Sequence, residues 1–265
     1  HDGRYADPVF LRSRGANPDQ FKLAKQLNRF SDKVLVLTKT NEDYMREKHL
    51  CAMNKVERLL NGIPLSQNGI RKAEDIFVRY PQLRERKIIF MAARLAEGKN
   101  LELIFELAAQ LKDDFPEILF LVAGDGPLME KLKIESKQKD LEKHILFIGF
   151  YTPVKELLNI SDVVIHPSLM ELHSITVIEA LSMEKPVLVS QHVGCHDEWF
   201  THRKNAFLLD PYQPQQWSVV IRELLEDDFL SKEISKKGRL LAEQTCDIKK
   251  VVNRIQNLYK ELTTK

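Results

Sequence analysis

From Arg86 onward the chain alternates short runs of consecutive apolar residues with longer stretches in which apolar residues recur every three or four positions. The runs are "KIIFMAARL", "EILFLVAG", "HILFIGF", "DVVIHPS", "KPVLVS" and "NAFLLD". Between them lie "NLELIFELAAQL", "PLMEKLKIESKQ", "VKELLNIS" and "SITVIEALSME". Apolar runs of this length, bounded by Gly, Pro, Asp or Ser, mark strands buried on both faces. The alternation predicts an α/β fold, a Rossmann-like doubly wound parallel sheet with helices on each side. Three further helical patterns follow, at roughly 214–227, 230–243 and 247–263. In the last, Ile248, Val251, Val252, Ile255, Leu258, Tyr259 and Leu262 form one apolar stripe, which needs a surface to cover.

The first eighty residues read differently. They offer "SDKVLVLT" and "KVERLLNG" as strands and helices around 20–30 and 41–49. Two strands do not close an independent sheet domain. Residues 1–65 are therefore expected to be the end of an incomplete N-terminal α/β domain, and 66–84 a linker. Residues 85–246 form the ligand-binding domain, and 247–265 a C-terminal helix that packs back on the N-terminal part.

Composition adds limits. With 40 basic and 38 acidic residues the formal charge is +2, so no global field points to nucleic acid. Cys51, Cys195 and Cys246 form no close-spaced framework, which fits reduced thiols and a cytoplasmic location. No run approaches the roughly 18 apolar residues of a spanning helix. The start, "HDGRYADPVF", lacks the basic-then-apolar pattern of a signal peptide.

In an open parallel sheet, ligands bind beyond the carboxyl ends of the strands, where loops lead into helix starts. Four such loops carry chemistry. "RLAEGKN" places Arg94 and Lys99 across a glycine-containing turn, and two cations beside a helix start suit a phosphate group. "GDGP" supplies Gly124 and Gly126, which allow close approach by a ligand or a neighbouring loop. "GFYTP" follows Gly149 with Phe150 and Tyr151, rings beside exposed amides that suit a nucleobase. The fourth is "HPSLMELHSITVIEALSME", with Ser174 as N-cap and the amides of Ile175 and Thr176 pointing out of the helix start. Glu171 lies in that loop and Glu179 on the second helical turn; carboxylates accept hydrogen bonds from the paired hydroxyls of a ribose or hexose. Each loop has a plainer alternative: solvated cations, an ordinary turn, or an acid that favours the positive helix end. Glu179 resists it, because its helix is apolar around it and a buried Glu needs partners.

Together and in order, "RLAEGKNLELIFELAAQL", "LFLVAGDGPLMEKL", "ILFIGF", "SDVVIHPSLMELHSITVIEALSMEKPVLVS" and "KNAFLLDP" resemble the nucleotide-sugar-binding half of retaining glycosyltransferases of the GT-B fold, the group 1 or family 4 set. The resemblance covers about residues 86–212. It continues weakly upstream through "RFSDKVLVLTKTNEDYM" and "RLLNGIP". It implies that Glu179 holds ribose hydroxyls and that Glu171 lies beside the transferred sugar. Arg94 and Lys99 match the basic pair that grips the diphosphate. The backbone after Gly149, at Phe150 and Tyr151, matches the base-binding loop. Leu172, His173, Ser174, Ile175 and Thr176 match the segment whose amides face the phosphates and sugar. His1, in the opening "HD", resembles the family's cleft histidine. Three places depart from the pattern: Ala93 stands where a Gly is common, "LHS" replaces a "GFG"-like segment, and "QHVGCHDEW" occupies the place of a "GG-x-P-E"-like turn. His173, replacing an aromatic, has a sugar hydroxyl or plain packing as its alternatives.

The resemblance implies a glycosyltransferase that moves a sugar from a UDP- or GDP-type nucleoside-diphosphate sugar to the hydroxyl of a glycan, lipid-linked or small-molecule acceptor. No further cofactor and no metal are expected, since the histidine and cysteine spacings of "HVGCH" match no common zinc pattern. A non-catalytic nucleotide-sugar-binding module and a GT-B sugar-nucleotide epimerase or phosphorylase are the competing expectations. "SKEISKKGR" with Lys249 and Lys250 reads as a solvated helix face, with peripheral contact to anionic lipid as the alternative.

Overall fold

The computed structural model describes residues 18–48, 50–65 and 73–264; His1 and residues 66–72 of the expected linker lie outside these. Six strands, β3 (Lys87–Ala92), β4 (Ile118–Ala123), β5 (Ile145–Gly149), β6 (Val163–His166), β7 (Val187–Ser190) and β8 (Phe207–Leu209), form one wholly parallel sheet in the order β5-β4-β3-β6-β7-β8. The chain starts in the middle at β3, builds outward to β5, then returns to β6 and builds the other way. The order therefore reverses between β3 and β6, and that crevice is where such sheets hold ligands.

The strands are apolar on both faces because both are covered. Ile88, Phe90 and Ala92 of β3 enter one core while Ile89 and Met91 enter the other, and β4 divides its residues in the same way. On the first face lie α3 (Ala73–Arg79), α7 (Ile175–Ser182) and α10 (Asp228–Thr245), contributing Ile76, Ile178 and Ala242. On the second lie α4 (Leu103–Leu111) and α9 (Pro214–Glu226), whose Trp217 is fully buried with its indole N–H donating to the Asp210 carbonyl at 2.8 Å. Ile76 and Leu83, in the stretch expected to be a linker, belong to the first core, so residues 73–83 pack as part of the large unit.

The preceding unit is small. β1 (Val34–Val36) and β2 (Val56–Arg58) pair in parallel through the crossover helix α2 (Lys39–Glu47), preceded by α1 (Pro18–Phe30). Its apolar centre is Val34, Val36, Tyr44, Met45 and Leu50. Ties at several points join it to the large unit. Ile63 bridges to Asp247, its N–H donating to the Cys246 carbonyl at 2.9 Å. Arg254, on α11 (Ile248–Thr263), grips the Glu57 carboxylate with its Nε and its Nη2, the latter at 2.7 Å. Glu198 accepts from the Lys39 N–H at 2.8 Å, at the start of α2, and pairs with Arg58 at 3.0 Å. The stripe on α11 thus buries Val251 and Leu258 while Val252 and Tyr259 stay exposed. On α10 the lysines of "SKEISKKGR" pair within their own helix, Lys237 with Glu233 at 2.6 Å and Lys232 with Asp228 at 4.0 Å. Among the described residues no helix is long and apolar enough to cross a membrane.

Two glycines show opposite kinds of constraint. Gly124 has φ +139, and a Cβ there would sit 1.9 Å from the Ala93 carbonyl oxygen, so the β3 and β4 loops meet backbone to backbone. Its role is approach by a neighbouring loop. Gly149 has φ +75 with open space around it. Gly124→Ala is therefore expected to destabilise the protein by about 3 kcal/mol or more, whereas Gly149→Ala should cost only the left-handed backbone penalty of about 1–2 kcal/mol. Urea unfolding of the two variants checks the ordering.

Candidate active site

The carboxyl ends of β3 and β6 release the two loops that carry the predicted cations and acids. Their backbones are laced together: Leu169 N–H donates to the Gly98 carbonyl at 2.8 Å, and Gly98 needs its φ of +82 beneath the Met170 side chain. Lys99 follows immediately and reaches the Glu171 carboxylate at 3.1 Å. Residues 72 apart in sequence are thereby joined across the switch point.

Glu171 is the most heavily held group on this rim. Its side chain is only 21% exposed. One oxygen meets both Lys99 Nζ at 3.1 Å and His166 Nε2 at 3.2 Å; the other accepts from the Leu172 N–H at 3.1 Å. Burial opposes ionisation, but the hydrogen bond and charge of His166 together with Lys99 outweigh it and hold the carboxyl well below the usual range. A carboxylate only accepts, so His166 carries its proton on Nε2. Its Nδ1, like His196 Nε2 and the hydroxyls of Ser168 and Ser190, is buried and has no hydrogen-bond partner among the described residues. His166 belongs to the "HPS" run that the sequence shows only as a strand end; its polarity inside an apolar strand is the signal that could have singled it out.

Ser174 caps α7 as expected, its hydroxyl accepting from the Val177 N–H at 3.4 Å. The N–H groups of Ile175 and Thr176 open the helix and have no intrahelical acceptor there. Leu172 and His173 turn their carbonyls the other way, accepting from the Cys195 N–H at 3.0 Å and the Asn61 side-chain amide at 3.1 Å. Gly194 makes this possible, since a Cβ there would sit 2.4 Å from the Glu171 carbonyl.

Glu179 lies further along α7, half-buried. Burial pushes its carboxyl up, and the charge of Lys155 partly offsets this; burial likewise lowers Lys155, with Glu179 acting in the opposite sense. Lys155 starts α6 (Lys155–Asn159), next to the Gly149–Tyr151 loop, and sequence gave no hint of it. Arg94 is exposed on the loop after β3; its carbonyl accepts from the Ala96 N–H at 2.9 Å, and no hydrogen bond or ion pair holds its side chain among the described residues.

Two predicted rings are placed differently from each other and from expectation. Phe150 is 79% exposed, whereas Tyr151 is buried against Tyr80, with Arg79 over both rings, and donates to Glu156 at 2.7 Å. Tyr151 is therefore a core residue, and only its backbone can face a ligand. His173 is 3% exposed and turned inward, so its ring does not reach a sugar hydroxyl. Its Nδ1 accepts from the Asn61 N–H at 3.1 Å, its Nε2 faces Cys246 Sγ at 3.8 Å, and its ring meets Trp199 edge-on at 4.6 Å. The histidines and cysteines of "HVGCH" do not converge: among the described residues no group of three or more His, Cys, Asp or Glu could hold a metal.

A six-stranded doubly wound parallel sheet with a cation–carboxylate pair at its switch point and a helix start beside it is an α/β fold of the GT-B type. The family model described as "Glycosyl transferases group 1" matches residues 73–241, and the chain belongs to that family. It is 24% identical over 272 residues to an alpha-D-kanosaminyltransferase of Streptomyces kanamyceticus, covering 99% of this chain and 69% of that protein. It is 26% identical over 219 residues to an N-acetylgalactosamine-N,N'-diacetylbacillosaminyl-diphospho-undecaprenol 4-alpha-N-acetylgalactosaminyltransferase of Campylobacter jejuni, covering 83% of this chain and 58% of that protein. The matches span between 35% and 69% of the length of these and similar curated relatives, so the chain covers only part of each. In fold it is similar to Anabaena HepE solved in complex with UDP, with a TM-score of 0.81 at 20% identity, covering 96% of this chain and 70% of that one.

The buried histidines make a prediction. His173 and His196 are pushed down from 6.5 to about 4, in each case by burial first. In the unfolded chain both take up protons near the ordinary histidine value, while the native state resists until about pH 4. Stability is therefore full above that ordinary value, declines as pH falls, and levels out below about 4, at a cost of about 3 kcal/mol per histidine at most. Glu171 adds its own loss only below the ordinary carboxylate range. Urea unfolding across this window should show the decline, and His173→Phe should remove one histidine's share.

Proposed function

We propose that this protein binds a nucleoside-diphosphate sugar at the β3–β6 switch point and transfers the sugar, with retention of configuration, to an acceptor hydroxyl. The observation that carries the proposal is the contact of Lys99 with Glu171 directly ahead of the open start of α7. The diphosphate takes the helix start, where the Ile175 and Thr176 amides, Lys99 and the exposed Arg94 supply positive charge. Glu171, charged and held by His166, faces the transferred sugar; Glu179 accepts from ribose hydroxyls; the backbone after Gly149 and the Phe150 ring receive the base. A UDP-type donor is favoured, because the structurally similar HepE was solved with UDP and also with UDP-glucose.

The chemistry this arrangement supports is electrostatic. The bond between the sugar's anomeric carbon and the β-phosphate oxygen breaks with its electron pair passing to the phosphate. The acceptor oxygen bonds to that carbon and its proton passes to the departing phosphate oxygen. Negative charge grows on the phosphate as the bond breaks, so prepositioned cations and amides bind the transition state better than the ground state. Glu171 already has three donors on its two oxygens, which suits it to orient sugar hydroxyls and to stabilise positive charge on the sugar. No step calls for a metal or a further cofactor. The acceptor belongs to the glycan, lipid-linked or small-molecule hydroxyl class; the lipid-linked form is supported by the undecaprenol-linked substrate in the name of the Campylobacter jejuni relative. A cytoplasmic location, peripheral at the membrane face, fits such an acceptor.

Lys99→Ala and Glu179→Ala are each expected to weaken UDP binding by about 1–3 kcal/mol, the scale for charged hydrogen-bond partners. In a thermal-shift panel of UDP, GDP, ADP and CDP, the matching nucleotide should raise the melting temperature of the unsubstituted chain most. Unchanged nucleotide affinity in both variants rejects the site.

A further inference from the structure

The segment Glu171–Thr176 is gripped from behind by two partners of very different origin. Gly194 and Cys195 come from the loop after β7, within the large unit. Asn61 comes from the chain that leaves the small unit: Leu59 N–H still bonds to Val36 of β1 at 2.9 Å, and Ile63 already pairs with Cys246–Ile248 ahead of α11. Asn61 and His173 exchange two hydrogen bonds, backbone N–H to Nδ1 at 3.1 Å and side-chain amide to the His173 carbonyl at 3.1 Å. The imidazole is fixed from its other sides by Trp199 at 4.6 Å and by Cys246 at 3.8 Å. Trp199 is itself anchored, its indole N–H donating to Thr245 Oγ1 at 3.0 Å. Its neighbour Glu198 holds the start of α2. One buried ring therefore touches the exit from the small unit, the junction before the C-terminal helix and the loop of Glu171.

We propose that His173 is a positioning residue that fixes the 171–176 segment to the crossing chain, so that the orientation of the small unit sets how the segment's amides meet the donor diphosphate. The inference rests on that segment being the donor loop. A ring nitrogen suits the task where a hydrophobic aromatic does not, because the Asn61 N–H is partly buried between packed elements and a phenyl ring in place of His173 would offer it no acceptor. The acceptor is Nδ1, which requires the proton on Nε2, the tautomer that faces the sulfur of Cys246.

The test uses the full chain and compares His173→Phe, His173→Asn, His173→Gln and Asn61→Ala. Two readouts are followed: hydrogen–deuterium exchange of the peptide covering 171–178 without nucleotide, and the Kd for UDP by calorimetry. Phenylalanine keeps the packing against Trp199 and removes the acceptor. It should speed exchange of the segment and raise the Kd by about tenfold each, the size expected for one lost buried hydrogen bond. Asparagine places an acceptor oxygen where Nδ1 stands and should restore both; glutamine reaches the Nε2 position and should restore neither. Asn61→Ala, which removes only the side-chain bond, should fall between. Wild-type exchange and affinity in His173→Phe, or equal rescue by asparagine and glutamine, overturns the proposal while leaving the donor site standing. Failure of the unsubstituted chain to bind any nucleotide overturns the donor site instead, and the exchange rates alone then decide whether His173 holds the segment.

Discussion

The carboxylate of Glu171 is about four-fifths removed from water and still charged, a state that costs several kcal/mol unless partners replace the lost solvent. The fold supplies those partners from three places at once: Lys99 from the loop after β3, His166 from the end of β6, and the N–H of Leu172 next in the chain. No local segment could do this alone. β3 and β6 stand side by side only because the strand order reverses between them. The need to satisfy one buried charge therefore ties the rim's electrostatics to the topology of the sheet.

That rim is directional. The carbonyls of Leu172 and His173 are committed to Cys195 and Asn61, and the Glu171 carbonyl lies against Gly194. The N–H groups at the start of α7 have no acceptor within the helix; in the proposed function they, with Lys99 and Arg94, meet the donor diphosphate. Glu179 and Lys155 lie within electrostatic reach of each other, Lys155 at the start of the helix that follows the loop after β5. Lys99 and Glu171 sit on loops braced by apolar strands, whereas His166 ends β6 and Glu179 lies on α7.

The small unit is not an independent bystander. Glu198 on the start of α2, Arg254 on Glu57, and Asn61 on His173 cross the same boundary at three separate points. Of these three, only the last touches the loop of Glu171 directly, through the inward-turned His173.

Much of this was legible before any coordinates. Strands buried on both faces write themselves as unbroken apolar runs, helices as a period near 3.6, so the sheet, its flanking helices, the loops holding Arg94, Lys99 and Glu171 and the helix holding Glu179 follow from the chain alone. Less accessible were the partners. His166 looked like the end of a strand, Lys155 like an ordinary helix start, Asn61 like the end of a strand, and Tyr151 like a ring open to ligand rather than a core residue on Glu156. The Lys99–Glu171 and Asn61–His173 contacts span 72 and 112 positions of sequence, and even the five-residue pairs His166–Glu171 and Tyr151–Glu156 depend on loop conformation, about which periodicity carries no information. By itself the sequence determined the type of each element and which loops carry charge, because these depend on local backbone preference and burial. The tertiary structure alone decided that Lys99 and His166 share one carboxylate oxygen and that His173 turns inward, because strand order and the packing of the crossing chain set those distances.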